Sequence, residues 1–362
     1  MNTQGKPLTS HEKEKKVFEA IAERACAADA GEVTLAEDLR ALWHAGLLAE
    51  MVAACLPGGD VLRGVTLLRR LGRASLPVGR LVEGHLNAWK VIALHACEDM
   101  RRSLRSTEPV FLGVWGADGI PPVRILQKDG KNGATLSGRK RFCSGLGLLH
   151  RAVVLAGNEE GTPQMVLAEV TDGRRADPGD WKVSGMRATA SGGYDFDGVE
   201  GRLLGRPGDF LVEPHFEGGI WRYLALKTGA IEALAEAVRH ALQSHPERDT
   251  GLNRDRLLRA TAAAHTARLW TEAAARAVET PGADGGAVPL ALTAREVVEE
   301  EAGTALRLAD RLLGTASFRE GSRVDLIRRD LAFYLRQADL DGKIDRAAEG
   351  ILGSDGPVGE QW

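Results

Sequence analysis

The sequence predicts a multi-domain α+β fold: a helical N-terminal domain, a central β-barrel or β-sandwich domain and a C-terminal helical bundle. Three observations carry this expectation. Apolar residues recur at helical spacing through the first hundred positions. From about 110 to 211 the chain changes to short β-prone runs punctuated by Gly, Asp, Asn and Pro. After Pro207 and Pro214, long stretches rich in Ala, Leu, Arg and Glu return with few breakers. The chain has 362 residues, 44% of them hydrophobic, too many for one ordinary core. The expected units are 1–108, 109–212 and 213–350, with 351–362 as a mobile tail.

Each element has its own warrant. Residues 14–28 place Val17, Ile21 and Cys26 near one helical face. Residues 34–49 open on Thr34 with Glu37 three positions on, a capping-box spacing, and repeat Leu39, Leu42, Trp43 and Leu47. The pair Gly58-Gly59 is a break, and Asp60 is a capping residue for a helix over 60–71. A buried helix is expected over 81–97. Strands are expected at 110–115, 123–128, 134–144, 151–156, 164–170 and 193–199, with a hairpin at the turn residues of 128–133. Their roughly 10-residue spacing is that of a small barrel or sandwich. Helices at 215–244, 254–279, 290–313 and 324–334 form the antiparallel bundle, with a loop at 280–287.

Composition excludes several classes. The formal net charge is −3, from 47 basic and 50 acidic residues, and aromatics make up 5% of the chain. Neither an electrostatic footprint nor stacking surfaces for nucleic acid are visible. No apolar stretch approaches the ~20 residues that span a bilayer. The polar N-terminus has no secretory h-region. A cytoplasmic protein without nucleic-acid or membrane partners is expected. Cys26, Cys55, Cys97 and Cys143 fit no CxxC pattern and the nine His show no metal spacing, so reduced thiols and no metal are expected. The run Gly145-Leu146-Gly147 ends a strand without βαβ context, which removes a Rossmann reading.

Three local runs go further. Residues 136–145 read LSGRKRFCSG. Residues 185–199 read GMRATASGGYDFDGV, with Leu204-Gly205 after them. Residues 220–230 read IWRYLALKTGA. In that order, inside that domain order, the chain resembles the acyl-CoA dehydrogenase-like flavoproteins. The first run is similar to the family's L-x-G-x-K-x-W-I-T-N strand. The second is similar to its G-x-R-x-S/T, spacer, F-D-x-V and later L-L-G. The third is similar to the first helix of its bundle. Leu312 to Gly314 ahead of residues 328–336 is a weaker match, similar to the family's G-G turn followed by an Arg-Asp helix.

The resemblance implies FAD, its ring between β domain and bundle. Carried over by position, Phe142, Cys143 and Ser144 stand for the family's Trp-Ile-Thr, with Phe142 over the ring and Ser144 as hydroxyl donor. Val114, Trp115 and Gly116 fall where the family has L-T-E-P, but neither the Thr nor the Glu is kept. Arg248 falls near the family's pyrophosphate Arg, and Leu313 and Gly314 near its G-G turn. Blander readings stand beside these: a solvated charge for Arg248, a helix C-cap for Gly314, a buried filler for Cys143, core for Trp221 and a loop tether for Arg187.

The family's catalytic Glu occupies one of two places. One lies eight residues after the Asp matched by Asp330, at Ala338; the other precedes the Arg matched by Arg222, at Trp221. Both are apolar here. Asp339, Asp341 and Glu217 are nearby carboxylates at non-matching sites. The implied function is a flavin oxidoreductase of acyl-CoA dehydrogenase type, acting on an acyl-CoA or related thioester with a diverged base. The alternatives are a flavin-dependent monooxygenase or oxidase, for which His85 and His215 are loose candidates, and a non-enzymatic oligomeric binding protein. A homodimer or homotetramer is implied, since family bundles pack against each other. No base being matched, feeble desaturation of simple acyl-CoAs is expected.

Overall fold

The structure is a computed structural model that describes residues 9–360 other than 105, 131, 337 and 338. Helix α1 (Ser10–Asp29) opens on a capping box at Thr9. Its hydroxyl accepts from Glu12 N–H at 3.3 Å, and Glu12 accepts from Thr9 N–H at 2.8 Å. The box expected at Thr34 does not form. The helix there begins after Leu35 without a side-chain cap. It also splits, into α2 (Ala36–His44) and α3 (Leu47–Cys55), where Gly46 takes φ 74. Glycine alone enters that region without cost from a Cβ, so the chain turns there.

Asp60 caps α4 (Val61–Ala74) by accepting from Arg63 N–H at 3.0 Å. Ser75 then closes α4 and caps α5 (Leu76–His95), accepting from Val78 N–H at 3.4 Å. Helix α5 therefore starts five residues before the expected 81. Pro77 lies in its first turn, where a missing N–H leaves no bond unmade. The short α6 (Glu98–Ser103) follows.

The β region is a barrel. Strands β2 (Arg124–Asp129) and β3 (Gly133–Ser137) form the expected antiparallel hairpin. The ring runs β5 (Arg151–Gly157), β2, β3, β9 (Val199–Leu204), β6 (Pro163–Glu169) and back to β5. Strand β1 (Leu112–Trp115) adds to β5 in parallel. A second small sheet joins β4 (Arg139–Lys140), β8 (Gly193–Asp195) and β7 (Ala176–Asp177). Strand β9 was not expected, because Glu200, Gly201 and Arg202 break any apolar alternation.

The bundle comprises α7 (Trp221–Ser244), α8 (Gly251–Glu279), α9 (Val288–Leu313), α10 (Arg323–Tyr334) and α11 (Leu340–Leu352). Helix α7 starts later than 215 because the segment after Pro214 makes a 3-10 turn over Gly218–Ile220 instead. It packs on α4 where two glycines face the other helix. A Cβ at Gly229 would lie 1.9 Å from the Arg69 carbonyl oxygen, and one at Gly72 would lie 2.1 Å from that of Leu226. No helix of the described residues is long and apolar enough to cross a membrane.

Candidate active site

A cavity of about 880 Å³ opens where the barrel, α5 and the bundle meet. Its floor is one face of α5: Arg80, Glu83, Asn87, Val91 and Leu94 recur at helical spacing. At 1.5 Å per residue, that stripe runs about 21 Å. Phe142 and Ser144 stand at the barrel side, with Trp181, Met186 and Thr189 beside them. The loop carrying Asp209, Glu213, His215 and Glu217 lines another wall, and Phe333, Tyr334 and Arg336 close it from the end of α10.

The corner around Ser144 is held under backbone strain. Phe142, Met186 and Ala190 have φ of 55, 57 and 46. Each such non-glycine residue costs on the order of 1–3 kcal/mol, so the surrounding bonds must over-determine them. Those bonds are present. Cys143 N–H donates to Gly192 O, Gly145 N–H to Thr189 O and Leu146 N–H to Ala190 O, each at 2.8 Å. Buried Asp330 accepts from Met186 N–H at 2.5 Å. Trp115 donates its indole N–H to Ser144 O at 3.1 Å. The Ser144 hydroxyl meets Ser191 at 3.2 Å, and Ser191 meets Thr189 at 2.9 Å.

Phe142, turned out by its positive φ, remains 56% exposed. Trp181 meets it edge-on at 6.5 Å, and Phe333 meets Trp181 at 5.5 Å. This is an uncovered aromatic wall beside a fixed hydroxyl, inside a cavity of ligand size. A flat heteroaromatic ring fits the arrangement: its face covers Phe142 and its polar edge meets Ser144.

The charged lining is largely paired. Glu83 is held by Arg80 and Asn87. Arg222 donates to Asn87 at 2.6 Å and to Glu279 at 3.3 Å, and Lys90 also meets Glu279. Glu217 forms a two-point pair with Arg346, both contacts at 2.6 Å. Asp209 accepts from Arg206 N–H at 2.7 Å. Glu213 accepts from Glu217 N–H at 3.0 Å, and burial pushes its carboxyl above the usual range. His215 Nδ1 makes no hydrogen bond among the described residues, and burial pushes the ring below its ordinary value.

Of the positions expected from sequence, Val114, Phe142 and Ser144 line the cavity. Trp115 and Cys143 lie behind it, 3% and 0% exposed, and burial pushes the Cys143 thiol up to about 12. The carbonyl of Gly116 accepts from Lys140 at 2.8 Å outside the lining. Arg248 sits past the far end of α7, and Leu313 and Gly314 end α9. All three lie outside the lining of the cavity in a single chain.

Trp221 is fully buried and donates its indole N–H to Glu279 at 3.1 Å. Ala338 lies outside the described residues. Asp339 is exposed and accepts from Arg346 at 2.8 Å; Asp341 is exposed. Of the three nearby carboxylates only Glu217 reaches the cavity, and it is paired. His85 is buried, its Nδ1 accepting from Leu112 N–H at 3.0 Å, with burial pushing it down to about 3. Arg187 pairs with Asp29 at 3.4 Å rather than tethering carbonyls. Sequence reasoning missed Thr189, Ser191 and Glu213. The first two lie inside the matched run at 185–199, so their nearness to Ser144 was the available signal.

No family model and no curated protein matches the chain. Solved structures do. FMN-bound TdsC from Paenibacillus sp. A11-2, elsewhere described as a dibenzothiophene monooxygenase, is 19% identical with TM-score 0.76, over 96% of this chain and 98% of that one. FkbI, for biosynthesis of the methoxymalonyl extender unit of Fk520, is 18% identical with TM-score 0.79, over 95% and 100%. A nitrososynthase from Micromonospora carbonacea var. africana is 20% identical with TM-score 0.73, over 96% and 98%. Similarity along nearly the full length of each chain shows a shared fold. The chain has the acyl-CoA dehydrogenase-like fold that its motifs implied.

Proposed function

We propose that the chain is a flavin-dependent oxidoreductase, and that it oxygenates a small organic substrate rather than desaturating an acyl-CoA. The carrying observation is the contrast within one cavity. An uncovered Phe142 wall and a fixed Ser144 hydroxyl suit a flavin ring, while each carboxylate on the described lining is engaged elsewhere. Desaturation needs a base free to reach the α proton. Bound flavin would supply two-electron transfer and, when reduced, reactivity with dioxygen. This chain's residues would do the rest. Phe142, Trp181 and Phe333 cover the ring and exclude water, Ser144 fixes its polar edge, and the α5 stripe orients the substrate's polar groups. The monooxygenase among the similar structures supports this reading.

FAD remains the expected form. Because Arg248 and Gly314 lie outside the cavity of one chain, their contact with its pyrophosphate requires a second copy. Titration with FMN and FAD, read by absorbance after dialysis, separates the two forms. The flavin-loaded protein is then mixed anaerobically with a chain-length series of acyl-CoAs. No bleaching is expected, and rapid bleaching by any of them overturns the oxygenase reading. One observation favours that second outcome: burial raises the Glu213 carboxyl above its ordinary value, the direction a general base needs. Loss of any bleaching in Glu213→Gln would then assign the base.

A further inference from the structure

One connected series of polar side chains runs along the floor of the cavity. Arg80 and Asn87 hold Glu83, and Asn87 accepts from Arg222 Nε at 2.6 Å. Arg222 Nη1 donates to Glu279 at 3.3 Å, and Lys90 meets the same carboxylate. Three cations therefore share two carboxylates. The side chains of Glu83, Lys90, Arg222 and Glu279 are between 2% and 7% exposed. A charge so far from water is costly unless it is paired. The other contact of Lys90 is a neutral one, the Cys55 carbonyl oxygen at 3.2 Å.

The surplus charge reaches the cavity through Arg222. A guanidinium carries five N–H bonds, two of them on Nη2. Nε and Nη1 are engaged, whereas Nη2 makes no hydrogen bond or ion pair among the described residues. Nη2 lies against Gly219, where a Cβ would stand 2.5 Å from it, and both residues line the cavity. The same charge is felt at His215 on the lining. Burial first, then Lys90 and Arg222, push that ring below its ordinary value, although Glu279 opposes them. The carboxylates of the loop at 209–219 do not cancel the surplus. Glu217 is held by Arg346, Glu213 accepts from the N–H groups of Glu217 and Gly218, and Asp209 accepts from that of Arg206.

We propose that this end of the cavity is a subsite for a carboxylate of the substrate, taken by Arg222 Nη2. The proposal names the substrate class for the oxygenase reading above and rests on that reading. A monoanion matches the single unshared positive charge, and an oxygen acceptor matches the unused N–H bonds. A hydrogen bond with both partners charged is roughly twice as strong as a neutral one, so an acid is selected over its amide. The phosphate of FMN is the competing source of an anion here.

The test measures dissociation constants for 2-naphthoate and for its uncharged counterpart 2-naphthamide, in full-length protein with and without FMN. Wild type is expected to prefer the acid by about tenfold or more. Arg222→Gln removes the surplus charge and leaves two cations on two carboxylates. The preference should disappear in it, with urea unfolding as the check that it is folded. Gly219→Ala leaves the charge in place and displaces Nη2, so it should weaken the acid severalfold and leave the amide unchanged. Equal affinities for acid and amide in wild type overturn the subsite and leave the flavin reading intact. A preference that persists in folded Arg222→Gln overturns it too, and if that variant does not fold, an unchanged preference in Gly219→Ala does the same. The ratio of FMN to riboflavin affinity should be the same in wild type and Arg222→Gln. A fall in that ratio hands the charge to the cofactor phosphate and overturns the substrate assignment. Protein that takes up no flavin but still prefers naphthoate keeps the subsite and overturns the oxygenase reading alone.

Discussion

Asp330 is a carboxylate where the packing offers almost no solvent. It is 2% exposed, accepts from Met186 N–H, and burial pushes it from 3.8 up to about 7. Its folded-state value lies above the unfolded one, so the folded protein holds the proton more tightly. Its contribution is therefore fully present below about pH 4 and is lost as pH rises through about 7. Relative to Asp330→Asn, wild type should lose on the order of 2 kcal/mol between pH 5 and pH 8, measured by urea unfolding at both. The comparison matters because Asp38, raised to about 6, acts in the same direction and must be subtracted. At this scale the sequence was partly legible. The strand motif pointed to Phe142 and Ser144. Nothing in Met186 or Ala190 announces a positive φ, and nothing in Asp330 announces burial, because the contacts that hold them come from distant positions: Met186 and Asp330 meet across 144 positions of chain, and Ala190 is held by Leu146.

At the scale of elements, local signals served where they had no competitor. The Asp60 cap formed as its position predicts, and so did the hairpin at 128–133. The Thr34 signal lost to tertiary packing, with Glu37 and Asp38 both turned to Arg24 from α1. The close crossing of α4 and α7 was invisible for a different reason. Gly72 and Gly229 are each unremarkable inside a helix, and only their partners' backbones explain them. An added methyl at Gly229 must displace the Arg69 carbonyl. Gly229→Ala is thus expected to destabilise the protein by about 1–3 kcal/mol despite its better helix propensity. Chemical denaturation of the purified variant checks this. A stability equal to wild type would show that the two helices separate more easily than their spacing implies.

The molecule as a whole places its cavity among segments from distant parts of the chain. Periodicity finds each helix but not which faces converge. Domain order and the matched runs carried the fold, whereas the polar stripe of α5 and the loop at 209–219 required three dimensions. Assembly is a question at this scale too. Helix α8 leaves Leu258 and Leu269 exposed at 68% and 58%, three turns apart on one face. A second copy of the chain is the proposed cover. Light scattering should report a dimer or tetramer at micromolar concentration, and Leu258→Glu with Leu269→Glu should shift it to a smaller species. A monomeric wild type at that concentration would sink the proposal.

Closure of the barrel has a consequence in time rather than in space. Strand β5 is paired with β6 along its whole length, with β1 along four residues and with β2 at its end. Ala152, Val153, Val154 and Ala156 are fully buried. Freeing one of its amides means parting neighbours on both sides, an event close to unfolding of the whole barrel. In deuterated water these amides should be the last of the β region to exchange. The strained corner at Ser144 is bonded to loops rather than to a two-sided ladder, so it can open many times while the strands beneath it stay closed.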